Sequence, residues 1–344
     1  MIRVLRHSSP RVHERTRSSP GRLRRGRKLF SPSRHLLCLM SAGFLLASTA
    51  SAEGESPSGG IGLALGSGGA GGLAHIAMLE EFDRRELRPD VIAGTSIGAL
   101  IGAMYAAGLS AEEIRELFTV FGESALNPFS GLLGNAPGWT DLVRTDWGNG
   151  GFIDPSGFMD FIGQHFEARR FEDLEIPLKI VAANYWDGQS VIFEEGDLFS
   201  AIKASMAVPG LFPPVRREEM LLIDGGVVNP LPWDLVAEQG LVIAVDVTGF
   251  RDPTRDDEPD LFDLLFKTFE IMQQSLISEK MAAGPPDLHV KPRLHGIRLL
   301  HFDRIDAILE RAAEAAAELG EELDRWQAAE VEGLRAAFRE SPAA

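Results

Sequence analysis

The sequence predicts an α/β fold: a largely parallel sheet covered by helices on both faces. Three observations predict it. Short apolar runs stop at glycine turns and give way to helical periodicity; this happens twice between Ile61 and Ala107; and further β-rich runs alternate with helices beyond them.

Ile61-Gly-Leu-Ala-Leu65 is a short apolar run that ends on a glycine cluster. The spacing of Leu73, Ile76, Leu79 and Phe82 predicts a helix over 72–85 with these side chains on one face. Val91-Ile-Ala93 reads as a second buried strand and Ser96 to Ala107 as an apolar helix. Ser110-x-x-Glu113 is a capping box that opens another helix. Pro177 to Ala183, Ser190 to Phe193, Leu221 to Ile223 and Leu241 to Val245 supply further strands, and Phe302 to Phe338 is helical and charged. Residues 122–153, rich in Gly, Asn, Pro and Trp, lack periodicity and read as a lid or binding loop. Residues 251–263 carry six acids but neither the glycine nor the closing glutamate of an EF-hand, so they read as a solvated acidic loop and not a metal site.

Charge is unevenly spread along the 344 residues. The first 52 hold 11 Lys/Arg and one acid, Glu14; the other 292 hold 23 bases and 49 acids, a net −26. A body this acidic repels phosphate backbones, so no nucleic-acid partner is expected. Basic residues from Arg3 to Arg34, the apolar run Leu36–Ala47 and Ala50-x-Ala52 together read as an export signal cut after Ala52, which places the mature chain in the periplasm or outside the cell. Arg24-Arg25 is a weak sign of the twin-arginine route. The apolar run is shorter than the roughly 20 residues that span a bilayer. The single cysteine, Cys38, lies in this leader, so the body has no disulfide and no thiol nucleophile.

Gly94-Thr-Ser96-Ile-Gly98 stands between a predicted strand and a predicted helix. A nucleophile elbow needs that placement, because a strained turn projects the serine hydroxyl and the flanking glycines relieve crowding. Gly66-Ser-Gly68-Gly69-Ala-Gly71-Gly72 gathers backbone N–H groups at the end of the first strand, which suits a phosphate or an oxyanion. Dinucleotide binding would require an acid at the end of the next strand, where Gly94-Thr95 stand instead. For a base, Asp224-Gly225-Gly226 follows a strand directly, although Asp-Gly is more often just a turn. His75, His165, His289, His295 and His301 remain as rivals, so a Ser–Asp–His hydrolase stays open.

Taken together these segments resemble the patatin-like phospholipase family. The matching stretches are Leu63–Ile76, Val91–Leu100, Ala204–Val215 and Leu222–Pro230, in the family's order, within a resemblance spanning about residues 60–320. The resemblance implies a three-layer α/β/α sandwich and a Ser–Asp dyad without histidine. Ser96 would be the nucleophile, Asp224 its base, and the Gly68, Gly69 and Gly72 loop the oxyanion hole, with Gly66, Gly94, Gly98, Gly225 and Gly226 shaping the turns. Residues 1–52 would be the leader, 53–60 a linker, 61–296 the catalytic domain and 297–344 C-terminal helices packing on or extending it. One departure stands out: Gly71 occupies the place where the family usually has Arg or Lys, so a cation near the loop is absent. The implied activity is hydrolysis of lipid acyl esters, with a lipid substrate, peripheral membrane contact, and no metal or cofactor. A non-catalytic binding protein on a degenerate patatin fold is the competing expectation.

Overall fold

The computed structural model describes residues 2–4, 59–123, 156–165, 167–249 and 261–340. The leader beyond Val4, the 122–153 loop beyond Glu123 and most of the acidic loop lie outside the described residues.

Nine strands form one sheet: β1 (Ile2–Val4), β2 (Ile61–Leu65), β3 (Val91–Thr95), β4 (Leu178–Asn184), β5 (Ser190–Phe193), β6 (Val215–Arg217), β7 (Met220–Asp224), β8 (Leu241–Val245) and β9 (Leu288–Val290). Their order is β1-β9-β8-β2-β3-β4-β7-β6, with β5 pairing β4 as well. The centre, β9-β8-β2-β3-β4, is parallel throughout, and the pairs that close the edges are antiparallel. β5, β6 and β7 cluster at one side, where short turns join β4 to β5 and β6 to β7 as antiparallel neighbours, while β1 pairs antiparallel with β9 at the other edge.

Helices cover both faces. One face carries α1 (Ala74–Arg84), α2 (Ile97–Ala106), α3 (Ala111–Glu123), α4 (Ser156–Gly163), α5 (Leu198–Ser205) and α7 (Ile305–Glu340), packed with Leu63, Leu65, Ile92, Ile243 and Val245. The opposite face takes the intervening residues Ala64, Val91, Ala93, Val242 and Ala244, under Trp233, Val236 and Ile277 of α6 (Leu261–Ala283). This alternation is the two-residue period of a strand buried on both sides.

The local predictions translate directly. Leu73, Ile76, Leu79 and Phe82 are all buried along one side of α1 and the turn before it. Every residue of α2 is buried, as an all-apolar helix requires. Ser110 Oγ accepts from Glu113 N–H at 3.2 Å and Glu113 Oε2 accepts from Ser110 N–H at 2.8 Å, the reciprocal capping expected before α3. α7 packs Ile308, Ala312, Ala315, Leu319 and Leu323 into the same core as α1, so the C-terminal helix is part of the domain. Among the described residues no helix is long and apolar enough to cross a membrane.

Candidate active site

Ser96 and Asp224 are 128 residues apart, and the register along β4 brings them together. On one side of β4, Thr95 at the end of β3 stands opposite Val181, and Asp224 at the end of β7 stands opposite Ala182, the next residue. The other side of both positions is filled by β5. β3 runs parallel to β4 and β7 antiparallel, so the two strands meet head-on and their last residues converge. Ser96 Oγ donates to Asp224 Oδ2 at 2.6 Å.

The serine sits on a strained turn. Its backbone adopts φ 58°, ψ −122°, a region non-glycine residues avoid at a cost of about 1–3 kcal/mol. The flanking glycines are required by close backbone approach: a Cβ on Gly98 would lie 2.2 Å from Leu65 O, and one on Gly94 would lie 2.6 Å from the Ala99 Cα. Ser205 at the end of α5 pins the turn. Its hydroxyl accepts from Ser96 N–H at 2.8 Å and donates to Val181 O at 2.6 Å. The sequence assigns Ser205 no role, and a serine between Ala204 and Met206 carries no local signal of one.

Asp224 is fully buried. Its Oδ1 accepts from Gly226 N–H at 2.6 Å and its own N–H is held by Ala207 O. Burial pushes the carboxyl up to about 7, against the opposing pull of the Ser96 and Gly226 hydrogen bonds. A carboxylate poised near neutrality is matched to accepting a proton from a hydroxyl. Both its oxygens are engaged without an imidazole. The histidines serve elsewhere: His289 Nε2 lies 3.4 Å from Asp246, His301 Nδ1 accepts from Arg298 N–H, and His165 Nδ1 lies 2.7 Å from Phe161 O. His75, another of the rival bases, donates from Nε2 to Gly66 O at 2.9 Å. Burial lowers its pKa to about 4, so it is a neutral strut behind the glycine loop.

That loop turns into a short 3-10 segment, Gly69–Leu73, capped by Gly68. The amides of Gly66, Ser67 and Ala70 are committed to Val245 O, Pro230 O and Leu299 O. Gly68 and Gly69 stand at the start of the turn, where amides have no partner within the helix, and have no acceptor among the described residues. Gly72 lies deeper: a Cβ there would be 2.2 Å from Ile97 Cγ2, so this glycine lets the loop close on the elbow. A Cβ on Gly71 would lie 3.2 Å from Val247 O and 3.3 Å from Leu294 Cδ1, both tight contacts. These neighbours follow β8 and β9 in the chain.

A cavity opens beside the serine, lined at one end by Gly68, Gly69, Ser96 and Ile97. Met206, Leu211, Phe212, Phe269, Leu299 and Phe302 make most of the rest apolar. Among the described residues no cluster of His, Cys, Asp or Glu could hold a metal ion.

A serine on a strained strand-to-helix turn, hydrogen-bonded to a buried carboxylate, is the central feature of this site. A family model for patatin-like phospholipases matches residues 63–237, half of the chain, and the chain belongs to that family. It is 33% identical over 204 residues to an uncharacterized NTE family protein of Mycobacterium tuberculosis, covering 58% of this chain and 53% of that one. It is 31% identical over 196 residues to Lysophospholipase NTE1 of Saccharomyces cerevisiae, covering 56% of this chain and 11% of that one. VipD from Legionella pneumophila aligns in structure over 77% of this chain and 67% of its own, with a TM-score of 0.41 and 14% identity. The chain thus spans about half, or far less, of the curated relatives it matches.

Proposed function

We propose that this chain is a serine acylhydrolase that cleaves fatty-acyl ester bonds of lipids, of phospholipase A, lysophospholipase or esterase type, through Ser96 and Asp224. The observation that carries it is the 2.6 Å hydrogen bond from Ser96 Oγ to a fully buried carboxylate.

Asp224 takes the Ser96 proton as the hydroxyl oxygen attacks the ester carbonyl. The resulting oxyanion is received by the Gly68 and Gly69 amides, with Gly72 allowing the loop's approach. Asp224 returns the proton to the leaving alcohol or lysolipid. Water, deprotonated by the same carboxylate, then attacks the acyl-Ser96 ester and frees the fatty acid. The acyl chain lies in the apolar cavity. The acidic body favours neutral or zwitterionic lipid surfaces over anionic ones.

Ser96→Ala and Asp224→Asn should each lower hydrolysis of a short-chain nitrophenyl ester by at least about 10⁴-fold, and a fluorophosphonate probe should label wild-type Ser96. An unlabelled, folded protein would favour the non-catalytic reading. The leader is proposed to direct export, with cleavage after Ala52. Cleavage would remove β1, which pairs with β9 at the sheet edge. An intact mass of the exported chain that still includes residues 1–52 would reject this.

A further inference from the structure

Gln273 belongs to α6, beyond the segment shared with the family model. It is 3% exposed, and its Nε2 has no hydrogen-bond partner among the described residues, nor does the buried hydroxyl of Ser67. Both residues line the cavity that holds Ser96. A Cβ built on Gly226 would lie 2.2 Å from Gln273 Nε2, 2.9 Å from Asp224 Oδ1 and 3.1 Å from Ser67 Oγ. Three buried polar atoms therefore converge on one point, and only a glycine at 226 leaves room for them. An unpartnered buried donor costs about 1–3 kcal/mol, a cost that is offset where it faces a carboxylate in a low-dielectric site.

We propose that Gln273 is a positioning residue for the Ser96–Asp224 pair: its carboxamide, seated against Gly226, directs its N–H dipole at the buried carboxylate and favours the charged form that accepts the serine proton. This rests on the dyad reading above. Among the charged groups on the elements around Asp224, Lys267 of α6 pairs with Glu270, and Glu279 of α6 and Arg216 of β6 are exposed. Lys179 of β4 pairs with Glu194, Arg217 of β6 lies over the Phe193 ring, Lys280 of α6 pairs with Asp234, and Asp246 pairs with Lys291. Lys203 of α5 is partly exposed, and His75 behind the glycine loop is neutral. Gln273 is thus the side chain left to oppose the burial of Asp224 from the α6 side.

The test is the acid limb of kcat/KM for a short-chain ester, followed by pH-stat, in wild type, Gln273→Met and Gln273→Glu. Methionine keeps length and bulk but removes the donor. The wild-type midpoint should fall near pH 7, and Gln273→Met should raise it by about one unit. Activity would then fall about 5-fold at pH 7 and recover by pH 9, with an unchanged melting temperature. Gln273→Glu, which adds a like charge, should raise the midpoint at least as far. Loss of rate that is equal at every pH, or a midpoint that does not move, overturns the proposal. Ser96→Ala and Asp224→Asn in the same assay separate the two levels. If either stays active, the dyad reading fails; if both are dead and the midpoint is unmoved in both Gln273 variants, only the role of Gln273 fails.

Discussion

Asp224→Asn should abolish activity and at the same time stabilise the fold, by an amount that depends on pH. The folded carboxyl titrates at about 7 against an ordinary 3.8, with burial as the main cause. A group whose folded pKa is raised contributes its stability fully below the unfolded value and loses it as pH rises through the folded one. At pH 8 the wild type must therefore ionise a buried carboxyl, at an order-of-magnitude cost of about 4 kcal/mol. Asparagine avoids that cost. Its oxygen can accept from Gly226 N–H and its amide can donate to Ser96 Oγ, so the two hydrogen bonds at this position keep partners. Chemical denaturation of both proteins at pH 4 and pH 8 isolates the effect, since other titrations cancel in the difference. The variant should gain about 4 kcal/mol at pH 8 and less than about 1 kcal/mol at pH 4. A gain that is absent at pH 8, or equal at the two pH values, would refute the idea that burial sets the basicity of Asp224.

Three further outcomes follow from the geometry. Ser205→Ala leaves Ser96 N–H and Val181 O without their shared partner; unfolding free energy should drop by about 2–4 kcal/mol, and kcat should fall with KM unchanged, whereas intact kcat would remove Ser205 from the site. Gly98→Ala drives a Cβ to 2.2 Å from a backbone oxygen and should cost about 3 kcal/mol or more. Gly102→Ala, one turn on, meets only side chains at 3.1 Å and beyond and should stay within about 1 kcal/mol of wild type by thermal melting. Leu211→Trp shortens the apolar cavity; kcat/KM for long-chain esters should fall about 10-fold, the value of one or two buried methylenes, while acetyl esters hold their rate, and a uniform loss across chain lengths would contradict the acyl-cavity assignment.

What was legible in the sequence was local. Gly94, Ser96 and Gly98 could be read because strain and close approach act within five residues, and the glycine loop because it follows a strand directly. The pairing of Ser96 with Asp224 came only through the family resemblance and not from the local residues, since it depends on two consecutive residues of β4 receiving strands from opposite directions. Asp224-Gly225 reads like any turn until Val181 O is found 2.3 Å from where a Gly225 Cβ would stand. The closeness of Gly72 to Ile97, which leaves no room for a Cβ, is set by tertiary packing and has no local signal. Ser205 and Gln273 were silent for the same reason. A buried serine or glutamine in an apolar helix shows its partners only once the helix is docked.

The division of the chain also bears on what can be carried over from its relatives. Ser96 and Asp224 both lie within residues 63–237, the segment the family model covers. The cavity does not end there: Phe269 and Gln273 come from α6, and Leu299, Leu300 and Phe302 from the connection into α7. The cavity wall therefore draws on both stretches, with Met206, Leu211 and Phe212 inside the family match and Phe269, Gln273, Leu299, Leu300 and Phe302 beyond it. Proton transfer and oxyanion binding depend on distances fixed to a few tenths of an ångström, and these sit in the shared segment. Chain length and shape preference depend on which bulky groups close the far wall, and part of that wall, Phe269, Leu299, Leu300 and Phe302, comes from residues the family model does not reach. Substrate preference must therefore be measured on this chain, by lipid profiling of the pure protein against mixed phospholipids and neutral esters. Substitutions at Phe269 should redistribute products without moving the pH midpoint that Asp224 sets.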